Sequence, residues 1–254
     1  MPNVSCVQIE ALFPDRAARV LNWCAKCCRF EDVILFSPRP PLVPFVGRWV
    51  QIPKFGYVGY STFSTKCLHY YVKSEFALVT QHDGFIIHPE NWREEFLDFD
   101  YIGAPWPECF GEERVGNSGF SFRSRAFMQA CADISIAHNN EADEPQARRY
   151  QKRVDEAADD IWMCKNTEVR EAMARAGIEY APLDVAKYFA SEMEIEEITF
   201  DDKEVFGFHD FSRRPEREEY KKLVAWEKCE LPTPEMLGIE ITSRTPSRQG
   251  KWGR

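Results

Sequence analysis

The sequence predicts an α/β protein with one large domain. Residues 4–9 alternate and are rich in β-forming side chains, and residues 32–36 form a short apolar run; both patterns are typical of strands. Residues 15–28 lie between them and carry apolar side chains at helical spacing. A strand, a helix and a strand in this order predict a parallel β-α-β unit. With 254 residues, of which 44% are hydrophobic and 14% aromatic, the chain can bury one large core.

The first predicted helix follows Asp15, which can cap it, and its apolar stripe includes Cys24, Cys27 and Cys28. Two thiolates at this spacing could instead share a zinc ion. No second cysteine pair with suitable spacing follows, so we interpret the three side chains as core thiols. The chain has nine cysteines, an odd number spread over its length, which indicates reduced thiols in a cytosol-like compartment.

A proline-rich segment separates this unit from the next predicted strand. Five prolines lie between residues 37 and 53; they exclude a helix interior or a central strand and predict a surface loop. Helical spacing returns at residues 61–71, and residues 76–80 form an apolar strand that ends in Gln-His-Asp-Gly at 81–84. Because open α/β sheets bind ligands beyond the carboxyl ends of their strands, this turn is the first predicted place for chemistry.

Two later segments carry further candidate residues. Residues 115–122 combine two glycines with an alternating apolar tail, and a glycine-lined strand lets a ligand approach the backbone closely. Ser124 is predicted to open the next helix. Residues 157–164 place an acidic pair near the start of a helical turn, and a helix at 167–176 is predicted to be capped by Thr167.

The charge and the hydropathy pattern exclude some classes of protein. A formal net charge of −9 argues against binding to nucleic acid through a broad basic face. No run of about 18 apolar residues occurs, and residues 1–14 lack a leader pattern. We therefore expect a cytoplasmic protein without a membrane span. Residues 1–243 are predicted to form the domain, and residues 244–254, with four basic residues and no acid, a flexible basic tail.

Four motifs occur in order along the chain. They are QHDGFIIHPENW at 81–92, FDYIGAPWP at 99–107, VGNSGFSFRSR at 115–125 and FGFH at 206–209. Together they resemble a widespread family of uncharacterised glycosyltransferase-like domains with the GT-A type nucleotide-sugar fold. The likeness runs over about residues 55–210 and includes AADDIWMC at 157–164, where members of the family usually carry an acidic pair.

The resemblance implies a single α/β/α domain of the GT-A type, whose central, mostly parallel sheet binds a nucleoside-diphosphate sugar at its carboxyl edge. It also implies a nucleotide-sugar-dependent glycosyltransferase, which moves the sugar to an acceptor hydroxyl. The residues that it implicates in donor binding are Gln81, Asp83, Gly84, Trp106, Gly116, Asn117 and Gly119. Ser118 stands where the family is expected to have a second glycine.

A divalent metal ion is implied by the Asp-x-Asp motif that GT-A enzymes carry at a strand end. Here Gln81 replaces the first acid, so Asp83 is the candidate metal ligand of the motif. His209 is the second candidate, because Mn²⁺ or Mg²⁺ bridging phosphates accepts carboxylate oxygen and Mn²⁺ also accepts imidazole. Composition alone favours simpler roles for these two residues. Asp83 would form a turn before Gly84, and His209 would be a histidine held by hydrogen bonds.

Asp159 and Asp160 are the candidate catalytic bases, since a carboxylate beside the anomeric carbon can take the acceptor proton. One of them could instead cap a helix through its free backbone amides. We expect that one carboxylate faces the site and the other supports the helix. Position favours Asp160 as the base.

Two other classes of function remain open. A sugar-nucleotide or glycan-binding protein would keep the fold without catalysis, which the reduced Asp-x-Asp motif permits. Another metal-assisted phosphate enzyme, such as a nucleotidyltransferase, would need more clustered acids than Asp83 offers. The expected acceptor is a glycan or a small molecule. A hydroxylated base in DNA is the alternative, and it draws on the basic tail and on Arg123 and Arg125 as phosphate contacts.

Overall fold

The structure is a computed structural model that describes residues 1, 3–135, 158–193, 195 and 204–210. The strands within these residues are β1 (Val4–Ile9), β2 (Asp32–Ser37), β3 (Arg48–Gln51), β4 (Phe76–Thr80), β5 (Gly84–Ile86), β6 (Tyr101–Ile102), β7 (Ser121–Ser124), β8 (Ala190–Ser191) and β9 (Gly207–His209). The α-helices are α1 (Pro14–Cys27), α2 (Tyr57–Thr62), α3 (Leu68–Tyr71), α4 (Arg125–Asp133), α5 (Asp159–Cys164), α6 (Thr167–Arg175) and α7 (Leu183–Phe189), and a π-helical turn at Phe63–Cys67 joins α2 to α3.

Six strands form the central sheet, in the order β3, β2, β1, β4, β7, β6. The first four run parallel to one another, and β7 runs antiparallel to both of its neighbours. The register places Val7 of β1 opposite Ile34 and Val79. These findings confirm a mixed α/β protein with a central, mostly parallel sheet.

Both faces of this sheet are covered, which explains why β1 and β4 are buried along their whole length. Alternate side chains point to opposite faces. Cys6 and Leu78 belong to the core that α1 covers, whereas Val7 and Val79 belong to the core that also holds Leu68 of α3. Layers of helix, sheet and helix result. Among the described residues, no helix has the length and the apolar composition that crossing a membrane requires.

A second, three-stranded sheet has the order β5, β9, β8. Strand β5 pairs antiparallel with β9, and the register places Gly84 opposite His209. Gly84 also bridges to Gln81 just after β4. This pairing is what carries His209, distant in sequence, to the carboxyl end of β4.

The proline-rich segment at residues 37–53 is not wholly a loop, because β3 lies inside it and pairs with β2 at the sheet edge. Prolines flank this strand without interrupting it, and an edge strand tolerates such neighbours. The prediction for Asp15 was also wrong. Helix α1 begins at Pro14 without a side-chain cap, and Asp15 instead accepts hydrogen bonds from the Leu42 amide and from Arg39.

The cysteine stripe of α1 lies where the sequence predicts it. Cys24 is buried, and Cys27 and Cys28 are half-buried at the end of the helix. Burial and neighbouring thiols raise the pKa of Cys27 to about 12 and that of Cys28 to about 11. Such thiols stay protonated at neutral pH, as core thiols do.

Ser124 caps α4 as predicted, since its hydroxyl accepts a hydrogen bond from the Phe127 amide at 2.9 Å. The cap of α6 lies one residue earlier than predicted, because Asn166 and not Thr167 occupies the cap position. Asn166 Oδ1 accepts a hydrogen bond from the Val169 amide at 3.0 Å. The helix ends before Gly177, whose φ of 75° is left-handed.

Removal of the Asn166 cap should destabilise the protein modestly. In Asn166→Ala the Val169 amide loses its partner, and the free energy of unfolding is expected to fall by about 1 kcal/mol. Urea unfolding followed by circular dichroism measures the change. Asn166→Ser keeps a capping oxygen and should retain most of the stability. Equal losses in the two variants would show that the hydrogen bond to Val169 is not the cause.

Candidate functional site

The candidate site lies at the carboxyl end of β4. Backbone hydrogen bonds of 3.2 Å in both directions between Gln81 and Gly84 close a tight turn, and this turn holds His82 and Asp83 at its tip. The Asp83 carbonyl accepts a hydrogen bond from the Asp210 amide at 3.0 Å. Gln81 and His209 are 128 residues apart in the sequence and lie in contact at this turn.

The His209 ring is held on both of its nitrogens. Asn117 Oδ1 accepts the backbone amides of Gly119 and Phe120 at 2.8 and 3.2 Å, which orients the Asn117 amide group. Asn117 Nδ2 then donates to His209 Nδ1 at 2.8 Å. Nitrogen Nε2 carries the ring proton and donates it to Gln81 Oε1 at 3.2 Å.

Gln81 connects this histidine to α2. Its Nε2 donates to the Tyr60 hydroxyl at 2.7 Å, so the amide spans from Tyr60 to His209. Burial and the nearby Asp159 charge raise the pKa of Tyr60, which keeps the phenol protonated. Gln81 is therefore a hydrogen-bond bridge between Tyr60 and His209.

Carboxylates also surround His209. Asp83 Oδ1 lies 3.6 Å from Nε2, and Glu192 Oε1 lies 3.5 Å from Nδ1. Burial lowers the pKa of His209, but these two carboxylates outweigh burial and raise it to about 9. This effect favours a charged ring, whereas the Asn117 donor requires an unprotonated Nδ1. Because backbone amides fix Asn117, the described hydrogen bonds belong to the neutral ring, and a proton on Nδ1 must be donated to Glu192.

Asp83 and His209 supply donors that fit a divalent ion. Asp83 Oδ1 is buried without a hydrogen-bond partner and faces Nε2 of His209. His209 can ligate through Nε2 when its proton lies on Nδ1, toward Glu192. Among the described residues, no group of three or more His, Cys, Asp or Glu side chains is placed to hold an ion. Phosphate oxygens and water would therefore have to complete the coordination.

The predicted glycines of the site make room for protein side chains. A Cβ on Gly119 would lie 2.1 Å from His209 Nε2, and one on Gly84 would lie 2.9 Å from His209 Cδ2. A Cβ on Gly116 would lie 2.1 Å from the Trp106 ring. The rings of His209 and Trp106 thus lie beside these glycines, and the part that Gly84, Gly116 and Gly119 play in donor binding stays a prediction.

Trp106 is placed as a core residue. Its side chain is only 3% exposed, and its ring stacks on Phe110 with centroids 5.4 Å apart. The ring also covers Gly116. The ring is therefore enclosed by protein atoms, and donor binding by Trp106 stays a prediction.

Gly119→Ala should displace the His209 ring, since the added methyl group cannot coexist with Nε2 at 2.1 Å. We expect the His209 ring signals in an NMR spectrum to shift and the hydrogen bond to Asn117 to be lost. Gly56→Ala is the matched control, because nothing lies within 4 Å of a Cβ at that position. Unchanged His209 signals in Gly119→Ala would contradict this packing.

The two acids of the pair have different surroundings. Asp159 begins α5 and is 1% exposed. Its Oδ2 accepts the Ser64 hydroxyl at 2.8 Å, and its Oδ1 accepts the Ser118 hydroxyl at 2.7 Å. The Arg123 guanidinium lies 3.8 Å away. Asp159 is thereby fully engaged within the protein.

Asp160 has only a local hydrogen bond among those of its side chain that are described, from the Ile161 amide at 2.8 Å. Burial, the Asp159 charge and the Glu192 charge raise the pKa of Asp160 to about 7. A carboxyl group with this pKa can both hold and release a proton near neutral pH. The two acids thus have different partners, while the expected division of roles between them and the chemical role of Asp160 stay predictions.

The two arginines that the DNA alternative takes as phosphate contacts have different surroundings. Arg123 is buried beside Asp159, whereas Arg125 is exposed and donates to the carbonyls of Val72 and Lys73. Arg123 therefore cannot contact nucleic-acid phosphate. The basic tail at residues 244–254 lies outside the described residues.

Three residues at the site were not indicated by the sequence. Glu192 follows β8, which is too short to leave a strand pattern in the sequence. Ser64 lies in the stretch predicted to be helical at residues 61–71, and Tyr60 lies directly before it, but the spacing gives no sign of what these side chains contact. Only the packing of α2 and the π-helical turn against the sheet brings them to Gln81 and Asp159.

Several solved structures are similar to this chain at low sequence identity. The chain resembles the galactosyltransferase LgtC in complex with donor and acceptor sugar analogues, with a TM-score of 0.47, 12% identity and coverage of 96% of this chain and 98% of that one. An active-site mutant of LgtC gives a TM-score of 0.45 at 10% identity, covering 89% and 95%. The bifunctional IspDF from Campylobacter jejuni gives 0.37 at 8% identity, covering 70% of this chain and 49% of that one. At these scores the similarity carries no argument about activity.

No curated protein matches the sequence. The model of one protein family does match, over residues 56–209, which is more than half of the chain. That range contains the turn after β4, the 116–119 segment, the acidic pair and His209. The chain belongs to the family described as "Protein of unknown function (DUF5672)".

Proposed function

We propose that this protein is a nucleotide-sugar-dependent glycosyltransferase, which moves a sugar from a nucleoside-diphosphate donor to an acceptor hydroxyl. One observation supports it above the others. A carboxyl group with its pKa raised to about 7, Asp160, lies close enough to His209 for the histidine charge to affect that pKa. His209 in turn faces the unpartnered Asp83 oxygen at the end of β4. A diphosphate handle and a base near neutral pH are the two groups that sugar transfer needs.

The diphosphate end of the site is formed by Asp83 and His209. These residues would hold Mn²⁺ or Mg²⁺, which when bound supplies positive charge against the charge that develops on the departing diphosphate. Gln81 and Asn117 orient His209 through its two nitrogens. Gly84 and Gly119 keep the backbone close to that ring. In this proposal these residues and Gly116 form the surroundings of the donor.

Asp160 acts at the sugar end as the general base. In its ionised form it accepts the proton of the acceptor hydroxyl while the new bond to the anomeric carbon forms, as an inverting mechanism requires. Burial, together with like charge on Asp159 and Glu192, raises the pKa of this carboxyl group. The acceptor is proposed to be a glycan or a small molecule. The DNA alternative loses Arg123 as a phosphate contact and keeps Arg125 and the basic tail.

A panel of nucleotide sugars tested by thermal shift, with and without Mn²⁺, tests the proposal, since a ligand that binds only the folded state raises its melting temperature. Asp83→Asn removes the carboxylate charge and is expected to weaken nucleoside-diphosphate binding in Mn²⁺ on the order of tenfold or more. His209→Ala should behave in the same way. Calorimetric titration measures the affinities.

His88→Ala is the matched control for this experiment, because His88 pairs with the exposed Glu90 and has no described contact with Asp83. Its affinity for the nucleotide should equal that of the wild type. If Asp83→Asn binds as tightly as the wild type, then Asp83 does not form the diphosphate site.

A non-catalytic sugar-nucleotide or glycan-binding protein is the second candidate. Gln81 favours this candidate. It stands where the family motif would have an acid, and both ends of its amide are already hydrogen-bonded, to Tyr60 and to His209. The two candidates differ in turnover. A transferase should hydrolyse its bound donor slowly when no acceptor is present, whereas a binding protein should release the donor intact.

A further inference from the structure

Arg123 is an almost fully buried arginine in the central sheet, with a side chain that is 1% exposed. Its Nε donates to the Ser121 hydroxyl at 3.0 Å, and its Nη1 donates to the Ser64 hydroxyl at 3.0 Å. Its Nη2 has no hydrogen-bond partner and lies 3.8 Å from Asp159 Oδ2. The charge of Arg123 is thus balanced by a carboxylate that is equally buried.

Asp159 connects this arginine to two other segments. Ser64 lies in the π-helical turn between α2 and α3, and Ser118 lies in the segment at residues 116–119, called the glycine segment here. Each of the two serine hydroxyls donates to a different oxygen of Asp159. A carboxylate whose two oxygens are bonded to separate elements cannot rotate freely, so its backbone is fixed as well.

The residue fixed in this way begins α5. Ala158, at the cap position, makes no side-chain hydrogen bond, and the helix has only six residues. Such a short helix has little stability of its own. Its start is therefore held by the side chain of Asp159, and Asp160 is the next residue.

We propose that Arg123 and Asp159 are positioning residues for Asp160, which they hold in register with the glycine segment through the hydroxyls of Ser64 and Ser118. The inference rests on the proposed function in that Asp160 is the base. Arg123 and Asp159 do not touch the substrate. Their contribution is the fixed place of the Asp160 carboxyl group relative to His209 and Glu192.

Several titratable groups affect the Asp160 carboxyl group or are affected by it. They are Asp159 on α5, Glu192 after β8, His209 on β9, Tyr60 on α2, Tyr101 on β6 and Cys164 on α5. Among these, Asp159 carries the charge that the two serines stabilise. If the serines are removed, the start of α5 is no longer held, the Asp160 carboxyl group can move out of its buried place beside Glu192, and the burial and repulsion that raise its pKa fall.

The test uses the double variant Ser64→Ala/Ser118→Ala, which removes both hydroxyls and keeps both charges. With a nucleotide sugar that the wild type hydrolyses, kcat is expected to fall at least about tenfold while KM stays within about twofold. NMR of protein labelled with ¹³C at aspartate Cγ follows the Asp160 carboxyl signal as the pH changes and gives the pH at the midpoint of its titration. The signal is assigned by comparison with Asp160→Asn. This midpoint should fall by at least about half a pH unit.

Ser74→Ala is the matched control. Ser74 is also a buried serine of this sheet region, with hydrogen bonds of 2.7 Å to the Ser5 hydroxyl and to the Phe76 carbonyl. It should lower the melting temperature without changing kcat or the Asp160 midpoint. The positioning proposal is overturned if the double variant also loses only thermal stability.

Failure of the proposed function has a different signature. If the wild type turns over no nucleotide sugar, the transferase proposal fails, and the Asp160 midpoint alone decides the positioning role. A midpoint that falls in the double variant and not in Ser74→Ala supports positioning in that case. An unchanged midpoint overturns it.

Discussion

Replacement of Asp160 by Asn is expected to slow sugar transfer at least about a hundredfold while leaving donor affinity within about twofold. The amide keeps the shape of the carboxyl group but cannot accept the acceptor proton. Steady-state kinetics gives kcat, and calorimetric titration of the donor gives the affinity. Asp184→Asn is the matched control, because Asp184 lies exposed in the first turn of α7. A variant that keeps the wild-type rate would remove Asp160 from the mechanism.

The dependence of this rate on pH follows from the same residue. Burial and neighbouring acids raise the pKa of Asp160 to about 7, so the fraction of the ionised base rises as the pH passes through this region. The transfer rate of the wild type should therefore rise with pH near neutrality. The residual rate of Asp160→Asn should lack this rise.

The raised pKa of Asp160 also affects the stability of the folded protein, which should fall as the pH rises, whereas the transfer rate rises. The folded protein binds this proton more tightly than the unfolded chain, so the stabilising effect is present at low pH and is lost as the pH rises through about 7. Above that pH the carboxylate is held in a place that disfavours its charge. Asp160→Asn, which has no charge, should be at least as stable as the wild type at pH 8.

The second large effect is expected for the neighbouring residue. Asp159→Asn leaves Arg123 as a buried charge without a partner, and the free energy of unfolding should fall by about 3–5 kcal/mol. Denaturant unfolding at neutral pH measures the loss. The exposed pair of Arg175 and Glu171, with side chains 71% and 64% exposed, gives the matched control. Glu171→Gln should cost no more than about 0.5 kcal/mol.

A combined replacement shows whether the loss arises from the uncompensated charge. The double variant Arg123→Met/Asp159→Leu removes both charges, and buried pairs replaced by apolar residues are often close to neutral in stability. We expect it to recover much of the stability that Asp159→Asn loses. If Asp159→Asn alone is as stable as the wild type, the pair does not carry the buried charge balance that its geometry indicates.

The apolar runs in the sequence predicted much of the central sheet. Strands β1 and β4 match their predicted bounds because every residue in them is buried, and such strands leave continuous β-rich segments in the sequence. Strand β3 left no such signal. Its four residues are only half-buried or exposed at the sheet edge, so packing did not require an apolar pattern, and the flanking prolines suggested a loop.

The residues of the candidate site were largely singled out from the sequence, but their hydrogen-bond and charge partners were not. Asp83, Asn117 and His209 belong to ordered motifs, which local patterns can reveal. Their meeting depends on the register of β5 with β9 and on the turn after β4. Glu192 escaped notice because its position beside His209 arises from the parallel pairing of β8 with β9, and a pairing between segments so far apart leaves no local pattern.

The sequence by itself determined the layered α/β class and the segments that carry the candidate site, because burial periodicity and ordered motifs are local properties of the chain. The tertiary structure alone decided what each side chain does there. Asp159 and Asp160 are adjacent and identical in type, yet one is bound by two serines beside Arg123 and the other lies among charges that raise its pKa. This difference arises from desolvation and from charges on residues that are remote in sequence but close in space. Both depend on contacts that exist only after the chain has folded.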